Sequence, residues 1–250
     1  MTNTLPPRPV LYLRSLLFWI VFALSIGVYW LPVLLSVVLP LRKRYDIVNL
    51  WVRFIIWWLK VTCKMDYEVK GGEHAALEPA IIFAKHQSTW ETFALKLFFP
   101  HSVYVAKREL LWIPCFGWAF AALDYIYINR SAGRRVMAQL IDQARKKVAN
   151  GFSITIFPEG TRTALGAAPA YKKGGAVIAV KTGTPVLPVA HNAGEFWPRH
   201  SFLKWPGTIT ISIGPPIKTA GRDAEEVLQE ASAWIEKEME SLYVPDRFPY

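Results

Sequence analysis

The strongest pattern in the chain is an uncharged, apolar run from residue 15 to residue 40, with basic residues on both sides. The run is longer than the roughly 20 residues that a helix needs to cross a bilayer. Gly27 and Pro32, inside the run, also permit a hairpin that enters the membrane and returns. A cleavable signal sequence is disfavoured because the basic residues 42–44 stand where a small-residue cleavage site is expected. The pattern predicts a membrane-embedded helical segment, either a span or a hairpin.

The next segment, residues 48–64, mixes three tryptophans and many aliphatic residues with basic side chains such as Arg53 and Lys60. This composition is typical of a helix that lies in the membrane interface, with its basic residues toward lipid phosphates. A core helix of the folded domain is the alternative, because an aromatic stripe also packs inside proteins. We therefore expect residues 1–66 to form an N-terminal membrane anchor and residues 67–250 to form a separate folded domain.

Beyond residue 66, short β-rich runs alternate with helical stretches, which is the pattern of an α/β fold. The predicted architecture is a mixed, largely parallel sheet flanked by helices. The last predicted helix has apolar residues at helical spacing and an acidic opposite face, as in a helix that packs by one side. Predicted strands cover residues 80–85, 103–106, 125–128, 153–157, 185–190 and 208–213, and predicted helices cover residues 89–98, 135–149, 176–182 and 224–242.

Composition narrows the class of protein further. The chain has 250 residues, of which 52% are hydrophobic and 19% charged, which excludes a disordered protein and a small disulfide scaffold. A net charge of +10 indicates an anionic partner. Eleven tryptophans favour a lipid surface over nucleic acid, for which the chain has no binding module. With only Cys63 and Cys115, a reducing compartment is expected.

A histidine and a carboxylate lie between a predicted strand and a predicted helix, in the sequence KHQSTWE at residues 85–91. His86 and Glu91 fall on opposite faces of a continuous strand and apart on a continuous helix, so they meet only where the backbone turns. If they meet, Glu91 holds one ring nitrogen and His86 acts as a general base through the other. The alternative is a helix-capping box of Ser88 and Glu91. The segment matches no zinc motif.

A second motif, FPEGTR at residues 157–162, follows another apolar strand. Ligands of open α/β sheets bind at the carboxyl ends of the strands. Gly160 permits a tight turn, Arg162 suits bidentate contact with a phosphate, and Glu159 suits a hydroxyl or the positioning of Arg162. An ordinary solvated turn is the alternative for this motif alone.

Together the two motifs resemble the glycerolipid acyltransferase family, and within it the bacterial lysophosphatidate acyltransferases. The resemblance covers roughly residues 67–216. Three further stretches carry it: Lys107, Glu109, Leu110, Pro114 and Gly117 match a lysine-containing motif, residues 127–130 resemble an arginine motif, and residues 185–189 resemble a V-P-V-x-P-like strand.

The resemblance implies that His86 deprotonates the free sn-2 hydroxyl of 1-acylglycerol 3-phosphate (lysophosphatidic acid), which then attacks the thioester of acyl-CoA or acyl-carrier protein. Glu91 stands where the family usually has Asp, and is expected to orient His86. No metal and no cofactor beyond the acyl donor is implied. Acceptor binding is expected at Lys107, Arg130, Glu159, Gly160, Thr161 and Arg162.

The resemblance also implies membrane lipids as partners, with the enzyme in a bacterial inner (cytoplasmic) membrane and its catalytic domain on the cytosolic face. Two alternatives stay open. One is the same chemistry on another acceptor, such as a lysophospholipid or a lyso-ornithine lipid. The other is a non-catalytic membrane scaffold, which predicts that the His86→Ala change leaves function intact.

Overall fold

A seven-stranded sheet forms the centre of the computed structural model, which describes residues 5–128, 135–167, 170–245 and 247–249. The strand order is β1-β7-β6-β2-β5-β3-β4, and every neighbouring pair is parallel except β6 and β7. The predicted mixed, largely parallel sheet is therefore confirmed. The strands are β1 Met65–Lys70, β2 Ile81–Ala84, β3 Ser102–Lys107, β4 Ile126–Ile128, β5 Ser153–Ile156, β6 Val186–His191 and β7 Gly207–Ile213.

Helices cover both faces of this sheet. The longer ones flank the strands, and short 3-10 turns lie at Ser36–Val38, Gly72–Ala76 and Arg108–Trp112. All four helices predicted from residue 89 onward are present, with bounds that differ by two residues or fewer. The α-helices are α1 Arg8–Leu35, α2 Leu41–Cys63, α3 Trp90–Phe98, α4 Phe116–Ala122, α5 Arg135–Ala149, α6 Gly174–Thr182, α7 Ala193–Phe196 and α8 Ala224–Leu242.

The central strand β2 shows why the sheet is covered on both sides. Its four residues, Ile-Ile-Phe-Ala, are all buried. Ile81 and Phe83 pack into the hydrophobic cluster shared with α5, α6 and α8, whereas Ile82 and Ala84 pack into the cluster shared with α1, α2 and α3. Alternate side chains of a strand point to opposite faces, so a continuous apolar run is typical of a strand buried on both sides.

The apolar N-terminal run folds as one continuous helix, α1, that passes through Gly27 and Pro32. The chain reverses only after residue 35, and α2 then packs back against α1, where the Trp51 indole N–H donates to the Ser25 hydroxyl at 3.1 Å. By length and composition, residues 8–38 are sufficient to cross a membrane.

The α1 helix has one packed face and one exposed face. Leu11, Phe18 and Phe22 are buried against the rest of the chain, whereas Leu24 and Val28 are 65% and 67% exposed. This division matters because the exposed face is apolar, which is unusual for a surface that contacts water.

A buried lysine helps to hold α1 on the domain. The Lys204 Nζ lies 4.5 Å from the ring centroids of both Trp19, on α1, and Trp197, on the loop after α7. The same Nζ donates to the Phe202 carbonyl at 2.8 Å, and the Ser15 hydroxyl accepts the backbone N–H of Lys204 at 2.9 Å. These contacts fix α1 relative to the sheet and therefore to the site described next.

Candidate active site

His86 and Glu91 meet at the turn between β2 and α3. The strand ends at Ala84, the helix begins at Trp90, and the intervening turn brings the His86 Nδ1 to 2.9 Å from the Glu91 Oε1. A carboxylate only accepts hydrogen bonds, so Nδ1 carries the proton and donates it to Glu91. The Nε2 atom of His86 is therefore the nitrogen that is free to take a proton from a substrate.

Glu91 is fully buried and holds the turn before α3 as well as His86. Its Oε1 accepts the backbone N–H groups of Ser88 at 2.9 Å and Gln87 at 3.1 Å. Burial by itself raises the pKa of Glu91, but His191, His86 and the Ser88 N–H outweigh it and lower the pKa below the ordinary value. The Glu91 carboxylate thus pairs with His86 and also accepts the Ser88 N–H, as in one half of the capping box, but the N-cap of α3 is Thr89 and no side chain caps it.

The ring of His86 is fixed from one side by Phe157, the first residue of the second motif. The two rings stack with their centroids 4.0 Å apart and their planes 16° apart. A ring held by a stacking contact and by a bond at Nδ1 keeps its Nε2 in one direction, which general-base catalysis requires.

Direct hydrogen bonds join the two motifs. The backbone N–H of Thr163 donates to the His86 carbonyl at 2.8 Å, and the Thr163 hydroxyl donates to the same oxygen at 3.2 Å. The Arg162 Nη1 donates to the Thr89 hydroxyl at 2.8 Å, at the start of α3. Arg199 donates in turn to the Arg162 carbonyl at 2.7 Å. The FPEGTR loop is therefore part of the same site as His86.

Glu159 lies in a different place from the other residues of its motif. Its carboxylate is buried, and its Oε1 accepts the backbone N–H of His86 at 3.1 Å. Burial raises the pKa of this carboxyl. The side chain contacts the His86 loop and is not part of the cavity wall described below, so a contact between Glu159 and the acceptor stays a prediction.

A cavity of about 900 Å³ begins at His86 and extends toward the N-terminal helices. Among the described residues that line it there is no aspartate or glutamate. Its basic side chains are His86, Lys96, Lys107, Arg162 and Lys172, and its apolar wall includes Phe22, Ile26, Trp30, Trp51, Phe93 and Phe120.

Lys96 differs from the other basic residues of the cavity because its charge is buried in an aromatic cage. The Nζ atom lies 4.1 Å from the ring centroid of Tyr45 and 5.3 Å from those of Tyr104 and Tyr125. It also donates to the Ser102 carbonyl, and burial lowers its pKa to about 7. The positive charge available to a ligand therefore comes from Lys107, Arg162 and Lys172.

The predicted acceptor-binding residues divide into three groups. Gly160, Thr161 and Arg162 line the cavity beside His86, and Lys107 lines it from the exposed end of β3. Glu159 is behind the His86 loop, as described. Arg130 lies outside the described residues.

Lys172 is a further basic residue of the cavity, outside the predicted acceptor-binding set. Its Nζ lies over Gly160, where a methyl group would come within 2.7 Å of it. Gly160 also has a φ of +71°, a conformation that favours glycine. The lysine follows the FPEGTR motif by ten positions, and this spacing does not predict that its side chain lies against the FPEGTR loop.

Comparison with known proteins places the chain in a family. A family model described as Acyltransferase matches residues 66–192, which contain both motifs. A 1-acyl-sn-glycerol-3-phosphate acyltransferase of Pseudomonas aeruginosa is 42% identical over 235 residues, which are 92% of this chain and 91% of that protein.

More distant relatives are also named as acyltransferases of this kind. The alpha form of 1-acyl-sn-glycerol-3-phosphate acyltransferase from Ovis aries is 26% identical over 80% of this chain and 71% of its own. The crystal structure of the 1-acyl-sn-glycerophosphate (LPA) acyltransferase PlsC from Thermotoga maritima matches with a TM-score of 0.76 and 26% identity, covering 95% of this chain and 97% of that one. With its two motifs joined in one site, the chain belongs to the acyltransferase family.

Proposed function

We propose that this enzyme transfers an acyl group from a thioester to the sn-2 hydroxyl of 1-acylglycerol 3-phosphate and so forms phosphatidic acid. The names of its relatives support this acceptor. The observation that carries the proposal is the cavity beside His86, which combines an apolar body with basic side chains and, among its described residues, no carboxylate. Such a cavity suits an anionic lipid with one acyl chain.

The chemistry follows from the position of His86. Its Nε2 takes the proton from the acceptor hydroxyl as the hydroxyl oxygen attacks the thioester carbonyl carbon. The ionised Glu91 stabilises the imidazolium that forms. The carbon–sulfur bond then breaks, the leaving thiolate takes the proton from His86, and the acyl group remains on the acceptor oxygen. Both acyl-CoA and acyl-carrier protein supply a thioester, and either fits this step.

The phosphate of the acceptor is assigned to Arg162, with Lys107 and Lys172 as further basic residues of the same cavity. Arg162 is held at the start of α3 by Thr89, close to the His86 loop. A guanidinium presents two parallel N–H groups to a phosphate, which gives orientation as well as affinity. The acceptor is thereby anchored at one end while its hydroxyl reaches His86.

A panel of acceptors tests this assignment. With purified wild-type protein and a long-chain acyl-CoA, 1-acylglycerol 3-phosphate is expected to be the best acceptor. Arg162→Ala is expected to raise its KM by about 10- to 100-fold, the value of one or two charged hydrogen bonds, with a small change in kcat. The measurement is a steady-state assay of labelled product for each acceptor.

The matched control is Arg145→Ala, which removes an exposed arginine of α5 that does not line the cavity. A higher kcat/KM for a lyso-ornithine lipid or a lysophosphatidylcholine than for 1-acylglycerol 3-phosphate would replace the proposed acceptor. An unchanged KM in Arg162→Ala would remove Arg162 from the phosphate site.

We also propose that the exposed apolar face of α1 inserts into a membrane, on the cytosolic side of a bacterial inner membrane. The exposed leucines and valines of α1 and the positively charged residues 42–44 after it support this orientation. In vesicle flotation, the wild type is expected to rise with vesicles that contain phosphatidylglycerol. Leu24→Glu combined with Val28→Glu is expected to lower the recovered fraction several-fold. Wild-type protein that stays at the bottom of the gradient would contradict the proposal.

A further inference from the structure

A partly buried ionic cluster lies behind the loops that carry His86 and Arg162; its lysine is buried, whereas its central carboxylate, Glu236, is 37% exposed. Lys85, the residue before His86, has a side chain only 1% exposed, and its Nζ lies 2.6 Å from the Glu236 Oε1 and 4.0 Å from the Glu159 Oε1. The Tyr171 hydroxyl donates to the same oxygen of Glu236. None of these four side chains lines the cavity.

Each partner of Glu236 is next to a residue that holds the active site. Lys85 immediately precedes His86 in the chain. Tyr171 immediately precedes Lys172, whose backbone N–H donates to the Pro158 carbonyl of the FPEGTR loop at 2.9 Å. A single carboxylate on α8 therefore connects to both loops at once.

The charges of the cluster explain why Glu236 matters for His86. A buried ammonium requires a nearby anion, and Glu236 supplies it at a shorter distance than Glu159. Without the charge on Glu236, the nearest remaining anion for Lys85 is Glu159. Glu159 currently accepts the backbone N–H of His86. A shift of Glu159 toward Lys85 would therefore release the backbone at His86.

We propose that Glu236 is a positioning residue of the active site, which fixes the loops that carry His86 and Arg162 through Lys85 and Tyr171. The inference rests on the proposed function and deepens it. It also extends the site beyond the stretch that matches the acyltransferase family, because that stretch ends at residue 192 and Glu236 lies on α8.

The test is steady-state kinetics of the full-length protein in lipid with 1-acylglycerol 3-phosphate and acyl-CoA. Glu236→Gln is expected to lower kcat by about 10- to 100-fold, the range for a small misplacement of a catalytic group. The KM for acyl-CoA is expected to stay within about twofold. Glu236→Asp is expected to recover part of kcat because it keeps the charge.

The matched control is Glu240→Gln, the same change one helical turn further along α8 at an exposed position. It is expected to retain wild-type kcat. Tyr171→Phe removes one hydroxyl and is expected to lower kcat by about 3- to 10-fold. If thermal melting shows that Glu236→Gln does not fold, Tyr171→Phe is the variant that tests the inference.

The outcomes separate this inference from the function on which it rests. Wild-type kcat in folded Glu236→Gln, or in Tyr171→Phe where Glu236→Gln does not fold, overturns the positioning role and leaves the proposed function intact. A wild-type protein that forms no phosphatidic acid overturns the proposed function, and the inference with it. Equal loss of kcat in Glu240→Gln also overturns the inference, because the effect would then belong to the charge of α8 as a whole.

Discussion

The His86→Ala variant is expected to lower kcat for phosphatidic acid formation by at least about 1,000-fold, within the range that a positioned general base contributes. The variant loses the only group at this turn that takes a proton, since Glu91 is buried behind the ring and paired with backbone N–H groups. The measurement is transfer of a labelled acyl group from acyl-CoA under saturating acceptor.

The fold of the His86→Ala variant is expected to remain intact. The His86 side chain is partly exposed, and the backbone bonds of the loop to Glu159 and Thr163 do not require the imidazole. His74→Ala, at a histidine outside the cavity, is the matched control and should retain wild-type turnover. Turnover in His86→Ala within about tenfold of the wild type would refute the base role and would revive the scaffold interpretation.

The second large effect is expected at Glu91. Glu91→Gln keeps the size of the side chain and an oxygen that accepts the Ser88 N–H, but it removes the negative charge beside the His86 Nδ1. Because that charge stabilises the imidazolium formed during transfer, kcat is expected to fall by about 100-fold or more. The KM for the acceptor is expected to change little, since Glu91 does not line the cavity.

Glu91→Asp separates the two roles of this residue. The aspartate keeps the charge and shortens the side chain by one methylene, so kcat is expected to lie between those of the wild type and Glu91→Gln. Kinetics and thermal melting of both variants are the measurement. A wild-type kcat in Glu91→Gln, with a lowered melting temperature, would show that Glu91 serves only to hold the turn before α3.

The strands and helices of the domain were predictable where the hydrophobic pattern was strong. The last helix is an example: its predicted apolar stripe is the face that the structure buries, and its N-cap, Asp223, accepts the Glu225 N–H at 2.6 Å. The edge strand β1 was not predicted, although its sequence MDYEVK alternates as a half-buried strand does, because the six residues directly follow the segment predicted as a membrane-interface helix. The α4 helix was also missed, since seven residues give too short a periodic pattern.

The contact between His86 and Glu91 was predictable from their spacing, because the two side chains meet only if the backbone turns between them. The contact that Glu159 makes was not predictable. Its side chain points behind the His86 loop, and nothing in the motif FPEGTR distinguishes a carboxylate that faces the substrate from one that accepts a backbone N–H. The sequence allowed Glu159 to position Arg162, whereas in the structure Glu159 accepts the His86 N–H and Arg162 donates to the Thr89 hydroxyl.

Contacts between residues that are far apart in the sequence were not predictable from local sequence patterns. Some side chains of α1 and α2, such as Phe22 and Trp51, line the cavity. From the sequence, these positions were predicted only as membrane-anchor or packing residues. Glu236 is one of many acidic residues on the polar face of α8, and only the sheet topology brings it to Lys85. Such contacts depend on how the elements pack, which periodicity does not specify.

The most direct test of the central claim is the fate of a labelled acyl group given to the purified protein as acyl-CoA or as acyl-carrier protein, with 1-acylglycerol 3-phosphate as acceptor. We predict that the label appears at the sn-2 position of phosphatidic acid with at least one donor, and that His86→Ala abolishes it. Label recovered only as free fatty acid or on another lipid, or equal labelling by His86→Ala, would contradict the account.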